Sequence, residues 1–91
     1  MMRLVDLTRD AKEFIEDLQA KQFKQVVQKI FGLLSDPEPS DSALLRGYDY
    51  RRADIGEYRI IYEFDETTLY IVLVGKRNDD EVYKQLKRKE Q

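Results

Sequence analysis

Arginines stand in this chain where a sheet has little structural use for them. Tyr50-Arg51-Arg52, Gly56-Glu57-Tyr58-Arg59-Ile60-Ile61-Tyr62, Gly75-Lys76-Arg77 and Glu81-Val82-Tyr83 interleave cations with aromatic and β-branched residues. A guanidinium is permanently charged and matches a phosphate through a planar fork of donors. A tyrosine adds a ring on which a base can stack and a hydroxyl, of ordinary pKa about 10, that can move a proton. Several arginines on one sheet face, with a tyrosine delivered by the next segment, suit the backbone of an RNA. Fixed guanidiniums also stabilise negative charge that builds on a phosphoryl group more than they stabilise the ground state. Arginine is too weak an acid to serve as the base, which leaves proton transfer to the tyrosine.

What is missing narrows the chemistry. The 91 residues contain no histidine and no cysteine. The commonest general base and metal ligand is absent, and so are disulfides and thiolate metal sites. Ser35, Ser40 and Ser42 have no histidine to activate them, and no phosphate-binding glycine loop occurs. Asp79-Asp80-Glu81 reads as ordinary dipole partners at a helix start rather than as a metal site. Sixteen basic against eighteen acidic residues give a net charge of −2, so a uniformly basic nucleic-acid binder is excluded. A locally positive face is left, because the acids of the first half run along a helix (Asp6, Asp10, Glu13, Glu16, Asp17). Arg46, Arg51, Arg52, Arg59, Lys76 and Arg77 lie in or beside strands.

The elements that must position these groups are legible from periodicity. One domain spanning 1–91 is expected, with no apolar run near the ~20 residues that span a bilayer and no signal-peptide core. A cytoplasmic address fits that and the missing cysteines. A short strand near Arg3–Leu7 precedes Thr8, a plausible N-cap. Ala11, Phe14, Ile15 and Leu18 then Phe23, Val26, Val27, Ile30 and Leu34 form two apolar stripes, broken near Gln19–Ala20. They predict an antiparallel helical hairpin over 9–35, with Phe14, Ile15, Phe23, Val27 and Ile30 buried. Asp36-Pro37-Glu38-Pro39 stops it.

Beyond Ser42 the period changes to 2. Strands are expected at Tyr48–Ala53, Tyr58–Phe64 and Leu69–Gly75, with turns at 54–57 and 65–68. Asn78 with Glu81 resembles a capping box for a last helix through Tyr83 and Leu86. The fold class is α+β, in the order β-α-α-β-β-β-α, with an antiparallel sheet packed on one face by the hairpin and its other face partly open. Parity puts Tyr58, Ile60, Tyr62 and Phe64 on one face of their strand and Arg59, Ile61 and Glu63 on the other. Arg59 and Arg77 then converge, Arg52 lies beside them, and Tyr83 hangs over the patch.

Leu45-Arg46-Gly47, Arg52 with Tyr58-Arg59-Ile60-Ile61-Tyr62, Val74-Gly75-Lys76-Arg77 and Glu81-Val82-Tyr83, in this spacing, resemble the RelE/ParE toxin superfamily of type II toxin–antitoxin modules, the RelE-like branch in particular. The resemblance spans nearly the whole chain. It implies a ribosome-dependent endoribonuclease that cleaves messenger RNA in the ribosomal A site without metal or other cofactor. It puts the family's catalytic basic positions on Arg52, Arg59 and Arg77 and its catalytic aromatic on Tyr83; of these, Arg59, Arg77 and Tyr83 are expected to carry the chemistry and Arg52 to position the backbone, with Arg46, Arg51 and Lys76 as further RNA contacts. Where many relatives carry a second basic residue, two after the first, this chain has Asp54, which can pair with Arg52 and modulate the patch, or act as a base. The implied partners are an adjacently encoded antitoxin, the ribosome with its messenger RNA, and operator DNA only through the toxin–antitoxin complex. Two alternatives share the fold: a ParE-like toxin that poisons DNA gyrase, and a catalytically weakened member serving as antitoxin partner and corepressor.

Overall fold

Thr8 closes one element and opens the next. Its hydroxyl accepts from the Ala11 backbone N–H at 3.2 Å, the N-cap expected of it, and donates to the Val72 carbonyl at 2.6 Å. The first helix is thereby tied to the sheet it covers. The structure is a computed structural model that describes residues 3–78 and 81–89, Glu81 by its backbone alone. The expected pairing of Asn78 with Glu81 and the Asp79-Asp80-Glu81 cluster fall outside the described residues. The order is β1 (Leu4–Leu7), α1 (Arg9–Glu16), α2 (Ala20–Ser35), β2 (Ser42–Leu44), β3 (Arg51–Ile55), β4 (Tyr58–Phe64), β5 (Thr68–Lys76) and α3 (Glu81–Lys89).

The five strands lie in the order β1-β5-β4-β3-β2. Strands β2 to β5 form an antiparallel meander, whereas β1 joins β5 in parallel, with Leu4 opposite Thr68. The sheet is therefore mixed rather than wholly antiparallel. A strand that reaches the rest of the sheet through a helical crossover is free to pair in parallel, which a tight hairpin forbids. Two further boundaries differ from expectation. Strand β2 lies where the sequence reads as the end of a linker. Tyr48 to Tyr50 belong to the turn after it, closed by Leu45 N–H donating to the Tyr50 carbonyl at 2.8 Å. Gly47 takes φ +85° there, a conformation glycine adopts without strain.

Both faces of the sheet are covered. The hairpin face buries Ala11, Ile15, Val26, Ile30, Leu33 and Leu34 against Tyr58, Ile60, Tyr62, Leu69, Ile71 and Val74. Tyr62 is fully buried, and its hydroxyl reaches the Pro37 carbonyl at 2.6 Å, fastening the linker that ends α2. Phe14 and Val27 pack at the margin of this core, but Phe23 is 42% exposed, against the expectation that it is buried. The opposite face, expected to be partly open, carries a second core, in which Val82 and Leu86 of α3 meet Leu45, Ile61, Val72 and Leu73.

A bulge explains how β5 serves both cores. The β4–β5 register shifts between Ile61 and Tyr62, so Ile71 pairs with Tyr62, Leu73 with Ile61, and Val72 is the extra residue. Val72 and Leu73 therefore both face α3, while Leu69, Ile71 and Val74 face the hairpin. Strict alternation would have placed Leu69 and Ile71 with Leu73. No helix among the described residues is long and apolar enough to cross a membrane.

Candidate functional site

The site is a product of register. Strands β3 and β4 are joined by Gly56 and Glu57 alone, with Gly56 at φ +58° and Ile55 opposite Tyr58. Glycine at the first position of a two-residue turn is what a tight hairpin needs. Counting back from that turn places Asp54 directly opposite Arg59, on the face that α3 covers. The carboxylate meets the guanidinium edge-on: Arg59 Nε donates to Asp54 Oδ1 at 2.7 Å and Nη2 to Oδ2 at 3.1 Å. The Arg59 side chain is only 17% exposed.

The remaining arginine nitrogen is also engaged. Arg59 Nη1 donates to the Tyr83 hydroxyl, and the guanidinium carbon lies 5.7 Å from the centre of that ring. Tyr83 reaches this position because Val82 and Leu86, its neighbours on α3, are packed into the sheet. Helix α3 can lie that close because β5 carries Gly75 beneath it. A Cβ at that position would stand 2.2 Å from Val82 Cγ2. Lys89 Nζ, 3.1 Å from Asp10 Oδ2, ties the far end of α3 to α1.

Two further arginines border the pair. Arg52 Nη1 stands 3.7 Å from Asp54 Oδ2, a loose ion pair. Arg77 is exposed; its backbone N–H donates to the Glu57 carbonyl at 2.8 Å, and its Nη1 lies 3.4 Å from the Gly56 carbonyl. The Asp54 carboxyl is held below the usual carboxylate range, first by the hydrogen bonds from Arg59, against the opposing effect of partial burial, and further by the charges of Arg59, Arg52 and Arg77. The Arg59 guanidinium is pushed up by the same pair. A carboxylate depressed in the folded state contributes stability at pH values above its unfolded pKa of about 3.9, lost only as pH falls through the lower folded value. The pair is therefore closed across the whole neutral range.

The expected site residues separate into groups. Arg52, Asp54, Arg59 and Tyr83 come together on one face, with Arg77 at its edge by the Gly56 turn. Arg51 does not join them. Its register partner is Tyr62, which places it on the hairpin face, where Nη2 donates to Ser42 Oγ at 2.9 Å and Nη1 lies 3.7 Å from Glu38 Oε2. It fastens the linker. Lys76 is exposed opposite Tyr58, with the parity of the hairpin face, and Arg46 is exposed in the turn after β2. Asp54 has Arg59 rather than Arg52 as its principal partner. Gly75 is named in the sequence only as part of the Gly-Lys-Arg motif; the signal of its packing role is a lone small residue directly after the apolar run Tyr70–Val74. Tyr48 and Tyr50 were not singled out as a pair. Their rings stack at 6.1 Å and 12° and line, with Gly47, Asp49 and Glu63, a polar cleft of about 430 Å³. Among the described residues no three His, Cys, Asp or Glu side chains are grouped to hold a metal ion.

The fold matches known proteins. A chain of the archaeal RelE–RelB complex from Pyrococcus horikoshii superposes with a TM-score of 0.74 at 22% identity, covering 86% of this chain and 98% of that one. A chain of the toxin–antitoxin complex RelBE2 from Mycobacterium tuberculosis gives 0.72 at 27% identity, over 85% and 100%. The isolated RelE toxin of Escherichia coli gives 0.72 at 23% identity, over 98% and 99%. Among curated protein sequences there is no match. The sequence profile described as the ParE toxin of the type II toxin–antitoxin system parDE matches residues 5–81. With most of its length inside that profile and its whole sheet and hairpin laid out as in RelE, the chain belongs to the ParE toxin family, within the RelE/ParE superfamily of type II toxin–antitoxin toxins.

Proposed function

We propose that this toxin is a ribosome-dependent, metal-independent endoribonuclease that cleaves messenger RNA in the ribosomal A site. The observation that carries the reading is the delivery of the Tyr83 hydroxyl from α3 onto Arg59, with Arg52 and Arg77 on either side. Cations at fixed positions favour the charge that builds on a phosphoryl group under attack by a 2′-hydroxyl. The most accessible of the three arginines is Arg77, which suits it to the transferring phosphate, while Arg52 positions the backbone. The Tyr83 oxygen accepts from Arg59, so its own O–H is free to donate to the departing 5′-oxygen while the attacking 2′-hydroxyl gives up its proton to solvent, with the tyrosine ring offered to a splayed base.

An antitoxin is the second part of the reading. Between β1 and the hairpin runs an apolar groove of about 290 Å³ lined by Val5, Leu7, Phe23 and Phe31 among others. Phe31 is 58% exposed and Val5 46%, so apolar side chains at the groove face solvent. Five of the similar structures are complexes of a RelE-type toxin with an antitoxin or an antitoxin peptide. The groove takes the apolar face of a co-encoded antitoxin segment, whose acidic residues reach toward the arginine patch. Phe31→Asp should therefore abolish co-purification of the adjacently encoded antitoxin while leaving the toxin folded and toxic. Retained co-purification would remove the groove from the interface.

A second reading, a gyrase poison, draws on the matched profile, which is that of ParE. Brief induction of the chain without antitoxin separates the two. Cleavage within translated messenger RNA supports the nuclease, and DNA-damage signalling with intact messages supports the gyrase poison. Harmless expression refutes both and leaves a corepressor.

A further inference from the structure

The Arg59 fork already holds an anion, and it is the protein's own. Nε and Nη2, the edge that grips a phosphate by two parallel hydrogen bonds, donate to the two oxygens of Asp54 at 2.7 and 3.1 Å. Nη1 is committed to Tyr83. Asp54 also draws on Arg52 at 3.7 Å. The carboxylate sits opposite Arg59 by strand register, 24% exposed, so it is neither a solvated surface charge nor free to swing away without leaving its partner unpaired. A carboxylate and a phosphodiester present the same pair of oxygens to a guanidinium edge. Only one of them can occupy it.

We propose that Asp54 is an internal competitor for phosphate at Arg59, holding the toxin in a low-affinity state from which RNA must displace it. Arg77 and the open side of Arg52 make the first contacts with an incoming backbone, and Arg59 joins only when Asp54 gives way. The ribosome, by fixing the messenger RNA in place, supplies the effective concentration that makes the exchange favourable. Free RNA lacks that help and engages an incomplete patch. Asp54 thus narrows the substrate from any single strand to one already held.

The proposal rests on the reading of this face as an RNA-binding surface, and its test keeps the two apart. Inorganic tripolyphosphate carries the phosphate chemistry without ribose or base. Titrated calorimetrically into the isolated protein, it should bind Asp54→Asn about tenfold more tightly than wild type, the size of one charge-assisted hydrogen bond made available. Glu66→Gln, an exposed neutralisation in the β4–β5 turn, measures what net charge alone contributes and should do far less. In an Arg59→Ala background Asp54→Asn should yield no more than that small change. With a short single-stranded oligoribonucleotide, Asp54→Asn should steepen the dependence of log affinity on log salt by about 0.7 for each additional phosphate that the protein neutralises. Unchanged or weaker binding by Asp54→Asn overturns the proposal, as does tighter binding that survives Arg59→Ala. If binding tightens but ribosome-bound messenger RNA is never cut, the nuclease reading falls and the competitor stands. If the message is cut and binding does not tighten, the competitor falls alone.

Discussion

Tyr83→Phe and Arg77→Ala should each lower single-turnover cleavage of ribosome-bound messenger RNA by about 10²–10³, the usual effect of removing one group that meets developing charge or moves a proton. The two losses have different origins. Phenylalanine keeps the ring against Arg59 and removes only the hydroxyl, so base stacking survives and the departing oxygen loses its donor. Alanine at position 77 removes an exposed cation whose side chain contributes little to packing. Neither change touches the Val82 and Leu86 contacts that hold α3, so thermal stability should move little. Growth inhibition unchanged in both variants at equal soluble expression would take these residues out of the chemistry and favour the gyrase reading.

Gly75→Ala should disable the toxin from beneath its site. The added methyl would stand 2.2 Å from Val82 Cγ2, a distance no packed pair of carbons tolerates. Val82 is 2% exposed and has nowhere to turn, so α3 itself must lift. Overpacking of this kind destabilises by about 1–3 kcal/mol. The functional loss should exceed what that stability change explains, because Tyr83 is the next residue along the helix and a displacement of about 1 Å at a reacting group can lower a rate 10²-fold. Val82→Ala added to Gly75→Ala removes the clashing methyl and leaves the two Cβ atoms about as far apart as the 3.6 Å found here, so both stability and cleavage should partly return. A Gly75→Ala protein as stable and as active as wild type would show that α3 does not depend on this contact.

The fold was legible where one periodicity dominates a segment. The apolar stripes of 11–34 gave the hairpin, and the parity of Tyr58–Phe64 put Arg59 on the face opposite Tyr62. The departures come from single-residue decisions that periodicity does not record. Reading the turn as 54–57 takes Asp54 out of the strand; the two-residue turn at Gly56-Glu57 returns it and sets it against Arg59 instead of Arg52. The extra residue at Val72 exchanges the faces of the strand on either side of it. Phe23 fits its apolar stripe but lies beyond the reach of the sheet, beside a groove that the chain leaves open. Arg51 and Arg52 are adjacent in sequence and so face opposite ways, which separates a linker clamp from a patch residue.

The pairing of β1 with β5 has a temporal meaning. Thr8, which follows β1, donates its hydroxyl to a carbonyl 64 residues away, so the first strand has no partner and the helices after it only part of their sheet until β5 is made. Contacts of such long sequence separation form late, after a large loop has closed. A nascent chain stopped anywhere short of β5 lacks the strand that joins β1 to the meander, and one stopped short of α3 lacks Tyr83. On the proposed role of Tyr83, activity arrives only with α3, after the whole sheet has been made. During that interval the apolar surfaces of the hairpin are exposed, available to whatever in the cell binds them first.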